Sequence, residues 1–116
     1  MTQEINDGYV RTETHNYITT IEFYHPKGNC LPGKILEELA KEIHFAGTHN
    51  ETRVIILQSA GDRTFCSGAS FDELLNITTL EEGIKFFSGF AHIIEAVRKC
   101  PKFVIGRIQE KLLVAA

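Results

Sequence analysis

The sequence lacks both a basic excess and a long apolar run. Lysines and arginines number 12 against 15 aspartates and glutamates, which gives a formal net charge of -3 and offers no footprint for nucleic acid or anionic lipid. No stretch approaches the roughly 20 apolar residues that cross a bilayer, and residues 1–8 are polar and acidic, unlike a secretory leader. We therefore expect no nucleic acid and no membrane as partners, and a cytoplasmic location.

Cysteine is also scarce and widely spaced. Cys30, Cys66 and Cys100 include no C-x-x-C pair and no neighbouring histidine doublet, so no metal site is predicted and reduced, buried thiols are expected. No two histidines share a helical face with a carboxylate between them, and all five are interpreted as surface or packing residues. They are His15, His25, His44, His49 and His92.

Repeats, linkers and low-complexity segments are missing as well. The chain has 116 residues, 43% of them hydrophobic and 23% charged, which is typical of one globular domain with a single modest core. No domain boundary is therefore expected within residues 1–116.

The first half of the chain predicts a hairpin, a helix and a strand. Tyr9–Thr14 and Tyr17–Tyr24 are rich in β-formers, and His15-Asn16 between them suits a tight turn. Apolar residues at helical spacing predict a helix over Pro32–Phe45. The unbroken apolar run within Thr52–Ser59 predicts a strand covered on both faces, as in a parallel sheet.

The second half predicts a short helix over Ser70–Leu75, a long helix and a strand over Phe103–Ile108 that should be buried. Thr79 and Glu82 have the spacing of a capping box at the start of the long helix, and Pro101 stops it. The resulting order is ββαβ, short α, long α, β, so the predicted fold class is α/β. One face of the long helix is expected to be buried through Phe87, Phe90, Ala91, Ile94 and Val97.

The stretch Ile55–Leu74 is the most informative for function. A buried strand opens into a loop that ends in Gly68 and Ala69 and then enters the short helix. Glycine before a helix start allows close approach of a ligand, and the next backbone N–H points outward with the helix dipole behind it. An ordinary strand-to-helix loop has the same pattern, so the residues alone leave both interpretations open.

This stretch resembles the signature of the crotonase superfamily, the enoyl-CoA hydratases and isomerases. Ile21–Leu31 is similar to the family's early hairpin and the loop to its first helix, and Val97–Gln109 to its run into the next strand. The resemblance extends from Gly8 to Gln109. It implies a partial crotonase-like ββα spiral.

The resemblance also implies an acyl-CoA thioester as the ligand, with coenzyme A as part of the substrate and no other cofactor. The backbone N–H of Ala69 would be the first of two donors to the thioester oxyanion. Phe71 and Leu74 would line the acyl pocket. Lys27 would reach a phosphate, unless it is a solvated loop lysine. The implied contacts of coenzyme A are Lys27, Ser67, Gly68, Ser70 and Asp72.

The chain departs from the family after Gln109. The family continues with Gly-Lys and a glycine run that supplies the second donor, then a second half with the acid–base carboxylates, whereas this chain reads Glu110–Ala116. We therefore expect the N-terminal portion of a crotonase-like domain, truncated after the fourth strand and inactive alone. The alternative is a non-catalytic module that binds coenzyme A or self-associates, and a homo-oligomer is expected.

The tail suggests a hypothesis about this departure. Glycine codons read one base late take the form GNG, which encodes only Val, Ala, Glu or Gly, and Val114-Ala115-Ala116 obeys that restriction. A one-base frameshift within the glycine run would therefore produce such an ending, and natural truncation is the alternative.

Overall fold

The computed structural model of the chain describes residues 8–26, 30–60, 68–69 and 75–107. The elements are β1 (Tyr9–His15), β2 (Ile18–Tyr24), β3 (Cys30–Leu31), α1 (Gly33–Thr48), β4 (Val54–Ser59), β5 (Gly68–Ala69), α2 (Leu80–Lys99) and β6 (Phe103–Arg107). The four longer strands form one sheet in the order β1-β2-β4-β6, and the short strands β3 and β5 pair separately. The predicted α/β class is confirmed, and the two short strands are additions to it.

The predicted hairpin is confirmed, but its turn lies one residue later than expected. His15 is the last residue of β1 and pairs with Ile18, so Asn16 and Tyr17 form the turn, with φ values of 52° and 67°. A two-residue hairpin turn takes positive φ at both positions because this matches the twist of the strands. The carbonyl oxygen of Tyr17 accepts a hydrogen bond from the amide of Arg53 at 2.8 Å, which ties the turn to the segment before β4.

Strands β2, β4 and β6 run parallel, with β4 in the middle. Ile21 on β2, Ile43 on α1 and Ile55 on β4 are completely buried. Helix α1 therefore covers this face of the sheet, as expected of a crossover connection between parallel strands, and α2 packs against α1. The buried core cluster consists of Ile21, Phe23, Leu31, Ile35, Leu36, Leu39, Ile43, Ala46 and Ile55.

The other face of this sheet is open within the described part of the chain. Val54 and Ile56 on β4 are only half-buried there, and Phe103 and Ile105 on β6 are 80% and 53% exposed. The predictions of a β4 covered on both faces and of a buried β6 were wrong for the described residues. An apolar run shows that a strand is suited to burial, but it does not show which element covers each face.

Helix α1 follows Pro32 and ends at Thr48, three residues beyond the predicted end. Its carboxyl end is held by Lys102, which lies just before β6. The Lys102 ammonium donates to the carbonyl oxygen of Ala46 at 3.4 Å and to that of His49. A cation at this end of a helix is favourable because the last carbonyl groups carry partial negative charge. The predicted short helix over 70–75 falls outside the described residues except for Leu75.

Helix α2 begins with the predicted capping box, which is confirmed. The Thr79 hydroxyl oxygen accepts from the Glu82 amide at 3.1 Å, and Glu82 Oε1 accepts from the Thr79 amide at 3.1 Å. The same oxygen accepts from the amide and the hydroxyl of Thr78, each at 3.0 Å. These bonds satisfy donors that the first turn leaves unpaired.

Neutralising Glu82 is expected to change how stability depends on pH. The hydrogen bonds from Thr78, and then those from Thr79, lower the pKa of the Glu82 carboxyl below 4.5. Because the pKa is lowered in the folded state, the stabilisation that the ionised Glu82 carboxylate gives to the fold is present above its unfolded-state pKa. This stabilisation is lost as the pH falls through the folded-state pKa. Urea unfolding of Glu82→Gln should therefore show a smaller drop in midpoint between pH 6 and pH 3 than the parent. An identical drop would contradict the role of the carboxylate.

The predicted buried face of α2 was wrong in part. Phe90 and Val97 pack against the core as predicted, whereas Phe87 and Ile94 are 59% and 60% exposed and Ala91 is exposed. The helix turns Gly89 toward α1, where an added Cβ would lie 2.9 Å from Leu36 Cδ1. This close approach fixes the rotation of α2 about its axis, and it puts Phe86, Phe90, Ile93, Ala96 and Val97 on the inner side.

Candidate functional site

In the chain, the two strands of the small β3–β5 sheet each follow the carboxyl end of one of two neighbouring strands. Residues 25–29 connect β2 to β3, and residues 60–67 connect β4 to β5, while β2 and β4 pair directly in parallel. In open α/β sheets, ligands bind in the crevice outside the carboxyl ends of parallel strands. The small sheet is therefore the part of the described chain where a binding site is expected.

The β3 side of this sheet is anchored to the core. Leu31 is 2% exposed and belongs to the buried cluster. The next residue, Pro32, accepts hydrogen bonds from the amides of Ile35 and Leu36 at 3.0 and 3.1 Å, which begin α1 directly after β3. The backbone of β3 is therefore fixed by the core on one side and by the helix on the other.

The β5 side is held by its pairing with β3. Cys30 pairs with Gly68 and Leu31 pairs with Ala69, in parallel. In an extended strand, successive amides point to opposite edges. Of the Gly68 and Ala69 amides, one therefore faces β3 and the other points away from it. A backbone donor held in this way needs little rearrangement to meet a ligand oxygen.

Of the site residues predicted from the sequence, the structure places two. Gly68 and Ala69 form β5, next to β3. Their roles toward a ligand stay predictions. The remaining ones lie outside the described residues, and their roles stay predictions too; they are Lys27, Ser67, Ser70, Phe71, Asp72 and Leu74.

A polar network that the sequence analysis missed crosses the open face of the sheet near the same strand ends. The Glu22 carboxylate accepts from the Tyr9 hydroxyl at 2.8 Å and from Gln58 Nε2 at 3.1 Å, and lies 3.8 Å from the Arg11 guanidinium. Arg107 donates to Gln58 Oε1 at 3.4 Å. The network includes side chains of β1, β2, β4 and β6, so it links all four strands across the open face of the sheet.

The network also changes the acidity of Tyr9. Burial, followed by the hydrogen bond to Glu22 and the charge of Glu22, raises the pKa of the Tyr9 hydroxyl. The hydroxyl therefore stays protonated and keeps donating to Glu22 in neutral solution. The signal in the sequence was the position of Glu22 between Ile21 and Phe23 on β2, since alternation places it on the face opposite the core.

Among the described residues, no group of three or more histidine, cysteine or acidic side chains could hold a metal ion. The part of the chain that the structure describes also contains no helix long and apolar enough to cross a membrane. The free thiol of Cys100 is half-buried and lies next to Gly47, where an added Cβ would be 3.1 Å from its sulfur.

The family model described as enoyl-CoA hydratase/isomerase matches residues 13–113, which include the main sheet almost entirely as well as β3 and β5. The chain belongs to the enoyl-CoA hydratase/isomerase family. It is a partial crotonase domain, so the resemblance of Ile55–Leu74 and the flanking segments is confirmed at the level of the family.

Solved structures agree with this assignment of the fold. The chain is similar to an enoyl-CoA hydratase from Bacillus anthracis, with 25% identity and a TM-score of 0.77 over 87% of this chain and 40% of that one. It is similar to an enoyl-CoA hydratase/carnithine racemase from Magnetospirillum magneticum, with 22% identity and a TM-score of 0.78 over 86% of this chain and 38% of that one. It is also similar to an enoyl-CoA hydratase from Bacillus halodurans, with 23% identity and a TM-score of 0.78 over 86% of this chain and 41% of that one.

The crotonase chain described here thus spans about 40% of the length of these solved relatives. No curated protein matched it. The activities of the complete relatives are therefore only proposed for this chain.

Proposed function

We propose that this chain binds acyl-CoA thioesters as the N-terminal portion of a crotonase-type hydratase or isomerase, with the Ala69 amide as an oxyanion donor. The observation that carries the proposal is the Leu31–Ala69 pairing beyond the carboxyl ends of β2 and β4. It gives the Gly68–Ala69 backbone a fixed position where parallel sheets bind ligands. Membership of the family supplies the ligand class.

The chemistry needs a fixed donor at the thioester oxygen. Hydration of a 2-enoyl-CoA and migration of its double bond both pass through an enolate-like state in which this oxygen gains negative charge. A preorganised amide meets that charge without rearrangement and is worth roughly 3 to 4 kcal/mol in such sites. The burial of Leu31 stabilises the β3 backbone against which Ala69 is paired.

The coenzyme A moiety would lie across the segments on either side of this pair. Lys27 would meet a phosphate through a charge-assisted hydrogen bond, and Phe71 and Leu74 would line the acyl pocket. The proposal assigns further coenzyme A contacts to Ser67, Gly68, Ser70 and Asp72. Coenzyme A enters as part of the substrate, and the location of the protein in the cytoplasm stays a prediction.

The proposal includes binding without turnover. Moving a proton requires a general acid or base within about 3 Å of the reacting carbon or oxygen, and the family resemblance implies carboxylates for this role. The family resemblance assigns the second oxyanion donor and these carboxylates to segments that follow Gln109. We therefore expect the 116-residue chain to hold the thioester but not to hydrate it.

Titration calorimetry with a β-ketoacyl-CoA, whose enolate carries the oxygen charge, tests the donor. Ala69→Pro removes the amide N–H and is expected to weaken binding of this ligand at least tenfold. The affinity for free coenzyme A should stay within twofold of the parent, since coenzyme A has no thioester oxygen. Equal losses for both ligands, or no loss for either, would overturn the assignment of Ala69. Hydration of crotonyl-CoA by the unaltered chain would overturn the proposed inactivity.

The phosphate contact is tested separately with Lys27→Glu. This substitution is expected to weaken the binding of free coenzyme A at least fivefold. The matched control Lys34→Glu, at an exposed position in the first turn of α1, should leave the affinity for coenzyme A unchanged. Similar effects of the two substitutions would show general electrostatic attraction and no defined contact at Lys27.

Self-association is a second candidate function, because large apolar side chains on α2 and β6 are exposed. Exposed apolar patches of this kind mark interaction surfaces.

A further inference from the structure

Leu31 belongs both to the small β3–β5 sheet and to the hydrophobic core. Its backbone pairs with Ala69 in parallel, whereas its side chain is 2% exposed and lies in the buried cluster. A buried leucine is surrounded by close-packed neighbours, so it can move little without opening a void or a clash. The core therefore holds the backbone of β3 through the Leu31 side chain.

Strand β5 depends on β3 for its position. Within the described residues, β5 consists of Gly68 and Ala69, and each of them pairs with one residue of β3. This small sheet is separate from the four-stranded sheet. A strand of two residues forms few inter-strand hydrogen bonds, so a shift of β3 is passed on to the backbone of Ala69.

Helix α1 holds β3 from the other side. The Pro32 carbonyl oxygen accepts from the amides of Ile35 and Leu36, and Leu36 in turn meets α2 at Gly89, where an added Cβ would lie 2.9 Å from Leu36 Cδ1. These contacts fix the carboxyl end of β3 through the backbone of Pro32. The depth at which β3 enters the core depends on its own buried side chain, that of Leu31.

We propose that Leu31 is a positioning residue for the Ala69 amide, because its buried side chain sets the place that this donor takes against the thioester oxygen. A displacement of about 1 Å at a reacting group can cost about a hundredfold, and an oxyanion donor is effective when it needs no rearrangement. Leu31 acts through its pairing with Ala69 and needs no contact with the ligand. The inference rests on the proposed acyl-CoA binding and adds a residue to it.

Titration calorimetry with a β-ketoacyl-CoA and with free coenzyme A tests the inference as a ratio of two affinities. Leu31→Ala removes the part of the side chain that the core holds, and it should lower the preference for the β-ketoacyl ligand about fivefold or more. Free coenzyme A lacks the thioester oxygen, so its own affinity should change little.

The matched control is Ile43→Ala. Ile43 is completely buried in the same cluster, but it lies about 15 Å along α1 from Gly33, the first residue of the helix. Both substitutions should lower the urea midpoint to a similar extent, since each opens a cavity in one core. Only Leu31→Ala should change the ligand preference. If either alanine variant fails to fold, Leu31→Val and Ile43→Val give the same comparison with smaller cavities.

Two further measurements separate positioning from loss of stability. Leu31→Met nearly conserves the side-chain volume and should restore the preference of the parent. The ultraviolet absorption of the bound enolate reports on the donor directly. In Leu31→Ala the enolate should form at a higher pH than in the parent, because a displaced amide stabilises the negative oxygen less.

Equal changes of preference in Leu31→Ala and Ile43→Ala would show that stability alone decides the result, and would overturn the inference. An unchanged preference in a folded Leu31→Ala would overturn it too. If Ala69→Pro still lowered the preference in that case, the oxyanion donor of the proposed function would stand without Leu31. A parent that binds neither ligand would overturn both the inference and the proposed function.

Discussion

Replacement of Ile43 by alanine is expected to lower the free energy of unfolding by about 3 to 4 kcal/mol. Ile43 is completely buried in the middle of α1 and belongs to the cluster shared by α1, β2 and β4. The substitution removes three carbon atoms and leaves a cavity that the surrounding strands can close only in part, so the loss of transfer energy and the cavity cost add. Urea unfolding followed by circular dichroism measures the change.

The matched control lies two residues further along the same helix. Phe45 is 65% exposed, so Phe45→Ala is expected to change the free energy of unfolding by less than about 0.5 kcal/mol, although it removes a larger side chain. Comparable losses at the two positions would show that α1 is not oriented as described, with Ile43 inward and Phe45 outward.

The second large effect is expected at Gly89, where α2 approaches α1. An added Cβ would lie 2.9 Å from Cδ1 and 3.3 Å from Cβ of Leu36, and Leu36 is itself buried. Gly89→Val should therefore force the helices apart and cost about 2 to 3 kcal/mol, despite the better helix propensity of valine. Thermal and urea unfolding should both record the loss.

Gly83→Val is the same substitution in the same helix and serves as its control. The nearest atom to an added Cβ there is Ile77 Cγ2 at 3.7 Å, an ordinary contact. Its effect should stay within about 0.5 kcal/mol, because valine has a slightly better helix propensity than glycine and meets only an ordinary contact at this position. Equal losses at both glycines would show that a cost common to valine anywhere in this helix, and not the close contact with Leu36, determines the result.

The sequence predicted well those features that depend on neighbouring residues. The Thr79 and Glu82 pair specified the start of α2 because a capping box requires only four consecutive residues. The helical spacing of Ile35, Leu39 and Ile43 predicted both the helix and its buried face, since the remaining positions of α1 are largely polar.

The sequence did not predict the features that depend on contacts between residues far apart in the chain. Helix α2 has apolar residues on both sides, so periodicity alone could not choose the inner one; the choice follows from Gly89 fitting against Leu36. Strands β3 and β5 contain two residues each, too few for a period, and exist because Leu31 and Ala69 pair across a separation of 38 positions. The significance of Ala69 came from a family resemblance, because a glycine followed by alanine is common in ordinary loops.

The bond between Lys102 and the end of α1 couples two parts of the molecule that are far apart in sequence. The ammonium precedes β6, and its acceptors at Ala46 and His49 lie 56 and 53 positions earlier. If Lys102 moves away together with β6, the last carbonyl groups of α1 lose this donor. We therefore expect fraying of the helix end and release of the edge strand to be coupled, so that in hydrogen exchange the amides of both segments show similar opening free energies.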